Sequence, residues 1–297
     1  MASFAEVEQT MLAASLNPAQ VLGDIRTNSL KALSDHTGRN TIAYYSSFLS
    51  RPVQGSDIND MDINGFMNVV NGMDRAKGLD LVLHTPGGGI TATEQIVHYL
   101  RDLFNDDIRC IVPQIAMSAG TMIACACKEI IMGRQSNLGP IDPQFRGVPC
   151  HGVVEEFERA IKQISDEPRS IGVWQQIIQQ YTPTFLGECQ KAMDLSRELV
   201  KRWLSEVMFA GKKASKRKAN QIVNKLSNHG DSKTHDRHIP ASIAKSIGLN
   251  ISMMEKEQKF QDLILTLHHS YMLTFNQTKF IKVIESGHNR RFIINGQ

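Results

Sequence analysis

Long apolar runs are missing from this sequence of 297 residues. The most apolar window, residues 110–132, is interrupted by Pro113, by Gly120 and by the charged neighbours Lys128 and Glu129. A membrane helix needs about 20 consecutive apolar residues. The first residues also lack the basic segment and apolar stretch that form a secretory signal. We therefore expect a cytoplasmic protein with no segment in a membrane.

Cysteine is scarce and odd in number, which argues against a disulfide framework. The five cysteines lie mostly among apolar residues, as reduced and buried thiols do in a cytoplasm. Cys125 and Cys127 are separated by one residue, and no second pair of this kind follows. This spacing does not match a zinc site, so we expect no metal ion and no other cofactor.

Negative charge is scarce toward the end of the chain. Residues 1–210 contain 18 Lys+Arg and 24 Asp+Glu, whereas residues 211–297 contain 15 and 6. Such a basic region can face an acidic partner, a nucleic acid or an acidic surface of a neighbouring subunit. The basic stretch 212–218 contains no aromatic residue that could stack on single-stranded bases. We interpret it as a solvated helix face and expect no nucleic-acid partner.

Strands and helices alternate in the first half of the sequence. Segments rich in β-branched and aromatic residues predict strands, and apolar residues at helical spacing predict helices. The predicted strands are 41–49, 79–84, 108–116 and 129–132, and the predicted helices are 60–73, 91–104 and 119–126. This alternation indicates an α/β fold of parallel βαβ units, whose ligands bind at the carboxyl ends of the strands.

The second half of the sequence is mainly helical. The predicted elements are helices over 154–164, 172–180, 185–209, 214–226 and 242–247, a helical region 255–285 and a terminal strand 291–295. At the other end, residues 2–22 predict a short arm or helix that Pro18 interrupts. The sequence therefore predicts a βαβ core with a helical C-terminal part.

Two loops at strand ends combine a hydroxyl group with backbone amides. Ser118 lies between a predicted buried strand and a small apolar helix, where helix-initial N–H groups can stabilise an oxyanion. The run Thr-Pro-Gly-Gly-Gly at 85–89 ends another strand. Its glycines permit the backbone angles that turn N–H groups toward one point. A serine beside two converging donors predicts acyl transfer.

Four motifs, together and in this order, resemble the serine dehydrogenase proteinase family. They are His-Thr-Pro-Gly-Gly at 84–88, Ala-Met-Ser-Ala-Gly-Thr at 116–121, Ser-Asn-Leu-Gly-Pro-Ile-Asp-Pro-Gln at 136–144 and Thr-His-Asp-Arg-His-Ile at 234–239. The group is similar to the Clp protease proteolytic subunit and signal peptide peptidase A, serine proteases of the crotonase-like fold. The resemblance implies a β-superhelix of stacked βαβ units, with helices that mediate contacts in a homo-oligomer.

The same resemblance implies a division of the chain. Residues 1–40 would be an N-terminal arm, residues 41–251 the Clp/crotonase-like protease domain and residues 252–297 a C-terminal helical extension. Within the protease domain, residues 153–228 would form a helical insertion. The motifs all fall inside the central domain, where we expect the site.

The resemblance assigns roles to the motif positions. It implies that Ser118 is the nucleophile of a serine peptidase and that the amides of Gly88 and Ala119 form its oxyanion hole. Candidates for substrate contacts in the same motifs are Gly87, Gly89 and Met117. The substrate would be a peptide or protein. Because the chain lacks the Gly-x-x-x-x-Gly-Lys-Ser/Thr motif of ATPases, a separate activator or unfoldase would have to unfold substrates that require it.

The general base is left open by the residues. A serine hydroxyl needs a positioned base to remove its proton, and relatives of this fold use a Ser-His-Asp triad or a Ser-Lys dyad. Where the Clp subunit would place its histidine, this chain has Asp142, 24 residues after Ser118. Asp142 is either an acid near the serine or a turn former between two prolines.

Several side chains compete for the role of the base. His235, followed by Asp236, lies in a motif that resembles the family's, so the pair could act as base and orienting carboxylate. His235 could instead pack a turn between two helices. The alternatives are His84 beside the glycine turn, His151, and a lysine such as Lys162 whose pKa burial would have to lower.

Three functional classes are consistent with these residues. The first, which we expect, is a serine peptidase that forms and hydrolyses an acyl-enzyme. The second is a catalytically silent or activator-dependent oligomeric scaffold that binds peptides. The third is a crotonase-like enzyme that uses the same amides on an acyl thioester, although the sequence shows no obvious pocket for an adenine nucleotide.

Overall fold

The structure, a computed structural model, describes residues 3–14, 17–51, 53–145, 147–227 and 237–296. Its strands are β1 Asn40–Ser46, β2 Leu79–His84, β3 Ile108–Val112, β4 Ile115–Ala116, β5 Glu129–Met132, β6 Asn137–Leu138, β7 Gln144–Phe145, β8 Val148–Pro149, β9 Ile239–Pro240, β10 Ile251–Met253, β11 Phe280–Ser286 and β12 Arg291–Asn295. Its α-helices are α1 Phe4–Ala13, α2 Pro18–Thr37, α3 Asp62–Val69, α4 Ile90–Phe104, α5 Ala119–Cys125, α6 Cys150–Asp166, α7 Ile171–Ile178, α8 Phe185–Trp203, α9 Ser215–Leu226, α10 Ala241–Ser246 and α11 Gln258–Gln277.

Seven strands form a central sheet in the order β10-β5-β3-β2-β1-β11-β12. The strands from β10 to β1 run parallel, and the hairpin β11–β12 continues the sheet in antiparallel pairing beside β1. Every residue of β1 and β2 is buried, as is usual for parallel strands that are covered on both faces. The fold is therefore mixed α/β with a mainly parallel sheet, as the sequence predicts.

Helices cover both faces of this sheet. On one face, α3, α4, α5, α8 and α9 contribute buried apolar residues such as Phe66, Met122 and Leu199 to one large core. On the other face, α2 and α11 form a second core that includes Leu33 and Ile264. No helix within the described ranges is both long enough and apolar enough to cross a membrane. The sheet thus separates two apolar cores.

The N-terminal segment contains more helix than the sequence predicts. Pro18 is the first residue of the 20-residue helix α2, because proline fits the first turn of a helix, where its missing N–H loses no partner. Asn17 caps this helix by accepting the N–H of Ala19 at 2.9 Å. Pro18 therefore begins a long helix that packs on α11, and the expected arm is part of the core.

The C-terminal segment also differs from the prediction. The helical region expected over 255–285 ends at Gln277, and residues 280–286 form β11. The alternation of Ile281 and Val283 with polar neighbours is a strand pattern that adjoins a helix pattern without a glycine or proline between them. The boundary expected at residue 252 falls inside β10, and β11 and β12 also belong to the central sheet. The terminal strand 291–295 is confirmed.

The strand predicted over 108–116 is broken at Pro113, which has no N–H for the ladder. Beyond the break, β4 joins β6 and β9 in a separate three-stranded sheet. Thr85 donates its N–H to Ile115 O at 3.1 Å and accepts the N–H of Met117 at 3.1 Å. These bonds bring the loop after β4 beside the glycine turn after β2.

Candidate active site

Ser118 lies half-buried on the turn between β4 and α5. Its φ and ψ angles are 50° and −114°, a conformation that residues other than glycine rarely adopt and that costs on the order of 1–3 kcal/mol. Neighbouring bonds hold it there, since Gly120 N–H donates to Met117 O at 2.7 Å and Met122 N–H donates to Ser118 O at 3.0 Å. The hydroxyl therefore lies beside the first turn of α5, whose N–H groups have no partner within the helix.

The glycine turn lies directly against Ser118. Gly87 has a φ angle of 103°, and a Cβ there would be 2.8 Å from Ser118 Cβ and 3.1 Å from Ala119 N. A Cβ at Gly88 would be 2.3 Å from both the N and the O atoms of Ile58. Because the turn is wedged between two backbone segments, glycine is required at both positions.

The amides of this turn differ in their hydrogen bonds: one is bonded to Ile58, and one makes no backbone bond within the described part of the chain. Ile58 donates its N–H to Gly87 O at 2.7 Å and accepts the N–H of Gly89 at 2.8 Å. Gly88 lies between Gly87 and Gly89, and in such a parallel bridge its own N–H faces away from Ile58. Within the described ranges, neither this N–H nor that of Ala119 donates a backbone hydrogen bond. Both amides are therefore available to a ligand.

A cavity of about 650 Å³ opens at Ser118 and the glycine turn. Most of the side chains that line it are apolar: Ile90, Met122, Ile141, Phe145, Ala192 and Leu195. The polar side chains around it include Asp57, Thr91 and Gln144. A cavity of this size, mostly apolar with a few polar groups, is typical of a ligand-binding site.

Two of the residues predicted to contact substrate, Gly87 and Gly89, line this cavity. The third, Met117, packs instead against Gly139, where a Cβ would be 2.6 Å from Met117 Cε. The cavity wall is formed by Met122, which follows one turn later on α5. Met117 precedes the sharp turn at Ser118 and packs toward the small sheet, and its contact with substrate stays a prediction.

Asp142 is buried beside the cavity. Its neighbours Ile141 and Pro143 both line the cavity, and Pro143 O accepts the N–H of Cys150 at 3.0 Å. Burial, followed by the neighbouring Cys189 thiol and then the Asp142 carboxylate, raises the pKa of the Cys150 thiol to about 12. The structure thus places Asp142 near the start of α6, behind the segment that lines the cavity.

The predicted base His235 and its partner Asp236 lie outside the described residues. His84, another candidate, is fully buried. Its Nε2 atom is 3.2 Å from Gln114 Oε1, and its ring stacks on Tyr45 with 5.2 Å between centroids. Burial is the main cause that lowers the pKa of His84 to about 4.

His84 also faces away from the cavity. Its ring centroid is 5.4 Å from that of His268 on α11 and 4.9 Å from that of Phe48. These contacts belong to the sheet face that α2 and α11 cover, whereas α5 packs on the other face. His84 thus packs behind the glycine turn.

The remaining candidate bases lie on α6. His151 is in its first turn, with Nδ1 3.2 Å from Glu155 Oε1. Lys162 is exposed further along the same helix. Neither His151 nor Lys162 is among the described residues that line the cavity. No described side chain forms a hydrogen bond with the hydroxyl of Ser118.

Cysteine and carboxylate groups show no arrangement for a metal ion in the described part of the chain. No three His, Cys, Asp or Glu side chains are grouped there closely enough to hold one. All five cysteines are buried as free thiols, and Cys127 Sγ donates to Ile123 O at 3.3 Å. The closely spaced Cys125 and Cys127 are therefore packing residues of α5 and the turn that follows.

Sequence reasoning gave no role to residues 53–59, which the structure places at the site. Ile58 pairs with Gly88, and Asp57 lines the cavity. The segment is a loop without hydrophobic periodicity, 30 residues before the glycine that it meets. No local pattern predicts the contact. The signal is the glycine itself, which indicates a close approach by some other backbone.

Comparison with known proteins identifies the family. A family model described as ClpP-like SDH-type serine proteinase matches residues 47–290. The chain belongs to this family. The matched range contains Ser118, the glycine turn and the cavity between them, so the resemblance drawn from the four sequence motifs is confirmed.

Relatives of this chain occur in Methanocaldococcus jannaschii. Uncharacterized protein MJ1495 is 31% identical over 174 residues, which are 59% of this chain and 52% of the relative. Uncharacterized protein MJ0137 is 29% identical over 199 residues, 67% of this chain and 62% of the relative. The chain therefore spans about half to three-fifths of the length of these curated relatives.

Proposed function

We propose that this protein is a serine peptidase in which Ser118 is the nucleophile and the amides of Gly88 and Ala119 form the oxyanion hole. Membership of a serine proteinase family supports this chemistry. One observation carries the proposal: the strained Ser118 lies at the edge of the cavity between two backbone amides that make no other backbone bond among the described residues. Strained residues of this kind are concentrated at functional sites.

In the proposed reaction, Ser118 Oγ attacks the carbonyl carbon of a peptide bond while a base takes its proton. The carbonyl oxygen becomes an oxyanion that accepts the N–H groups of Gly88 and Ala119. The C–N bond then breaks, the amine leaves with the proton from the base, and water hydrolyses the acyl-enzyme. Removal of one oxyanion donor typically lowers kcat by about 100- to 1,000-fold.

We propose His235 as the base and Asp236 as the carboxylate that orients it. The family-like motif at 234–239 supports this choice, and so does chain connectivity. The strand β9 begins four residues after His235 and belongs to the same small sheet as β4, which leads into Ser118.

A second function is also compatible with the site, since the Ser118 hydroxyl makes no hydrogen bond to a side chain of the described residues. A catalytically silent scaffold, or a peptidase that an activator switches on, would have a serine without a hydrogen-bonded base in this way. For either function we propose a peptide or protein ligand, a homo-oligomer and a separate activator or unfoldase. The opposite charges of residues 1–210 and 211–297 support contacts between subunits.

Labelling with a fluorophosphonate probe tests the proposal. Such probes phosphonylate a serine only when its hydroxyl is activated. We expect mass spectrometry to locate the label on Ser118, and Ser118→Ala to abolish it. Ser246→Ala, at an exposed serine on α10, is the matched control and should label like the wild type. Loss of labelling in folded His235→Ala would identify the base, whereas an unlabelled wild-type protein would leave the silent or activator-dependent scaffold.

A further inference from the structure

A buried ion pair lies behind the glycine turn. Lys282 Nζ is 2.7 Å from Asp62 Oδ1, and both side chains are fully buried. Tyr44 donates its hydroxyl to Asp62 Oδ2 at 2.8 Å. Taking such charges out of water costs several kcal/mol per ion, so a buried pair is a weak source of stability. The presence of this pair is better explained by the backbone groups that it holds in place.

The ion pair fixes the backbone on both sides of Ile58. Lys282 Nζ donates to Asp57 O at 2.6 Å, and Asp62 Oδ2 accepts the N–H of Asn59 at 3.0 Å. Each partner therefore binds a backbone group of the loop, one before Ile58 and one after it. These two bonds hold the loop on either side of Ile58, in addition to the bonds that Ile58 itself makes to the glycine turn.

Ile58 transmits this placement to the glycine turn. It donates to Gly87 O at 2.7 Å and accepts from Gly89 N–H at 2.8 Å, and its backbone fills the space behind Gly88. The Gly87 carbonyl, which shares a peptide plane with the Gly88 N–H, is thereby held toward Ile58, and the Gly88 N–H points the opposite way. A shift of the loop would rotate or translate this amide.

We propose that Lys282 and Asp62 are positioning residues that set the orientation of the Gly88 amide in the oxyanion hole. This inference rests on the proposed function, because it gives the ion pair a part in that site. Donors must lie about 2.7–3.1 Å from the developing oxyanion, and a misplacement of about 1 Å can reduce the rate about 100-fold. Loss of the ion pair should therefore slow the chemical step at Ser118 and leave binding in the cavity little changed.

The chain contains a matched control pair on the same strand. Arg26 Nε is 2.8 Å from Glu285 Oε2, with side chains 1% and 3% exposed. Glu285 lies three residues after Lys282 on β11 and faces the opposite side of the sheet. Glu285 also accepts the hydroxyl of Tyr271 at 2.7 Å and lies 3.6 Å from Arg291 Nε. This pair is as buried as Lys282–Asp62 but makes no bond to the loop at Ile58.

The test measures inactivation by a fluorophosphonate probe at several probe concentrations, which separates its reversible binding constant from the rate constant of phosphonylation. The proteins are the wild type, Lys282→Met and Arg26→Met, each checked for folding by circular dichroism. We expect both variants to unfold at a lower temperature. The rate constant of phosphonylation should fall about 10- to 100-fold in Lys282→Met and stay near the wild-type value in Arg26→Met, with the binding constant unchanged in both.

The outcomes separate this inference from the proposed function. A wild-type protein that is not labelled at Ser118 overturns both. A labelled wild type with an equal rate constant in Lys282→Met, or an equal loss in Arg26→Met, overturns the inference alone. Where Lys282→Met does not fold, Tyr44→Phe decides, because it removes one hydrogen bond to Asp62 and should lower the same rate constant severalfold.

Discussion

Ile58 and Gly88 form an isolated parallel bridge in which the Ile58 backbone fills the space that a side chain at position 88 would need. This contact fixes three things at once. It makes glycine obligatory at position 88, it uses the amide of Gly89 for structure, and it leaves the amide of Gly88 directed away from Ile58. The steric demand at the glycine turn and the chemical role proposed for it therefore have one cause.

Substitution Gly88→Ala tests this relationship. The added Cβ would lie 2.3 Å from two backbone atoms of Ile58, which cannot move aside as a flexible side chain would. We expect the free energy of unfolding to fall by about 2–3 kcal/mol. Because the amide moves with the turn, fluorophosphonate labelling of Ser118 should slow by about 100-fold.

The control for this variant is Gly152→Ala on α6. A Cβ there would meet no atom within 4 Å, so stability should stay equal or rise by about 0.5–1 kcal/mol. Urea denaturation and the labelling rate check both proteins. A Gly88→Ala protein with wild-type stability and wild-type labelling would contradict the role given to the Ile58 contact.

Local patterns were sufficient to predict much of this molecule. Strands 79–84 and 129–132 have the predicted bounds, because a mostly apolar run is the pattern of a strand that is buried on both faces of a sheet. The turn at Ser118 follows from an apolar run that ends before small residues. In contrast, the local pattern predicts a helix where β11 forms. The strand depends on pairing with β1, which is a contact between distant parts of the chain that no local pattern contains.

The parts of the site that could not be predicted depend on such distant contacts. Lys282 and Asp62 are separated by 220 positions, and neither stands in a motif. A lysine among apolar strand residues is equally consistent with a solvent-facing edge, and an aspartate before a helix usually caps it. Only the assembled sheet brings the two charges together and gives them a common neighbour in the loop at Ile58.

The buried histidines predict that the protein loses stability in mild acid. Burial lowers the pKa of His84 to about 4, and burial together with the neighbouring histidines lowers the pKa of His268. In the unfolded chain a histidine has a pKa of about 6.5. Below that pH the unfolded chain binds protons that the native state does not, so stability is complete above it and decreases as the pH falls toward 4.

For His84 alone this loss amounts to about 3 kcal/mol between pH 7 and pH 4. Urea denaturation at several pH values should show it, and His84→Gln should reduce the slope by about one proton. His98→Gln, at a side chain that is 75% exposed on α4, is the control for the substitution itself. A stability that is flat between pH 7 and pH 4.5 would contradict the burial of His84.

A substitution at Ala192 tests whether the substrate binds in the cavity as well as contacting Ser118. It lies half-buried on α8 and lines the cavity. Replacement by tryptophan adds a side chain that covers about 150–250 Å² and should fill part of the space without touching the sheet. The backbone at Ser118 would keep its geometry.

Ala192→Trp should therefore discriminate between probes by size. We expect a fluorophosphonate that carries a large aromatic side chain to label Ser118 at least about tenfold more slowly, because that side chain competes with the new indole for the cavity. Diisopropyl fluorophosphate is small enough to reach the hydroxyl without entering the cavity and should react at nearly the wild-type rate. Ala210→Trp, at an exposed position after α8, should change neither rate. Equal slowing of both probes by Ala192→Trp would mean that α8 supports the serine itself, and the cavity would lose its assignment as the binding site.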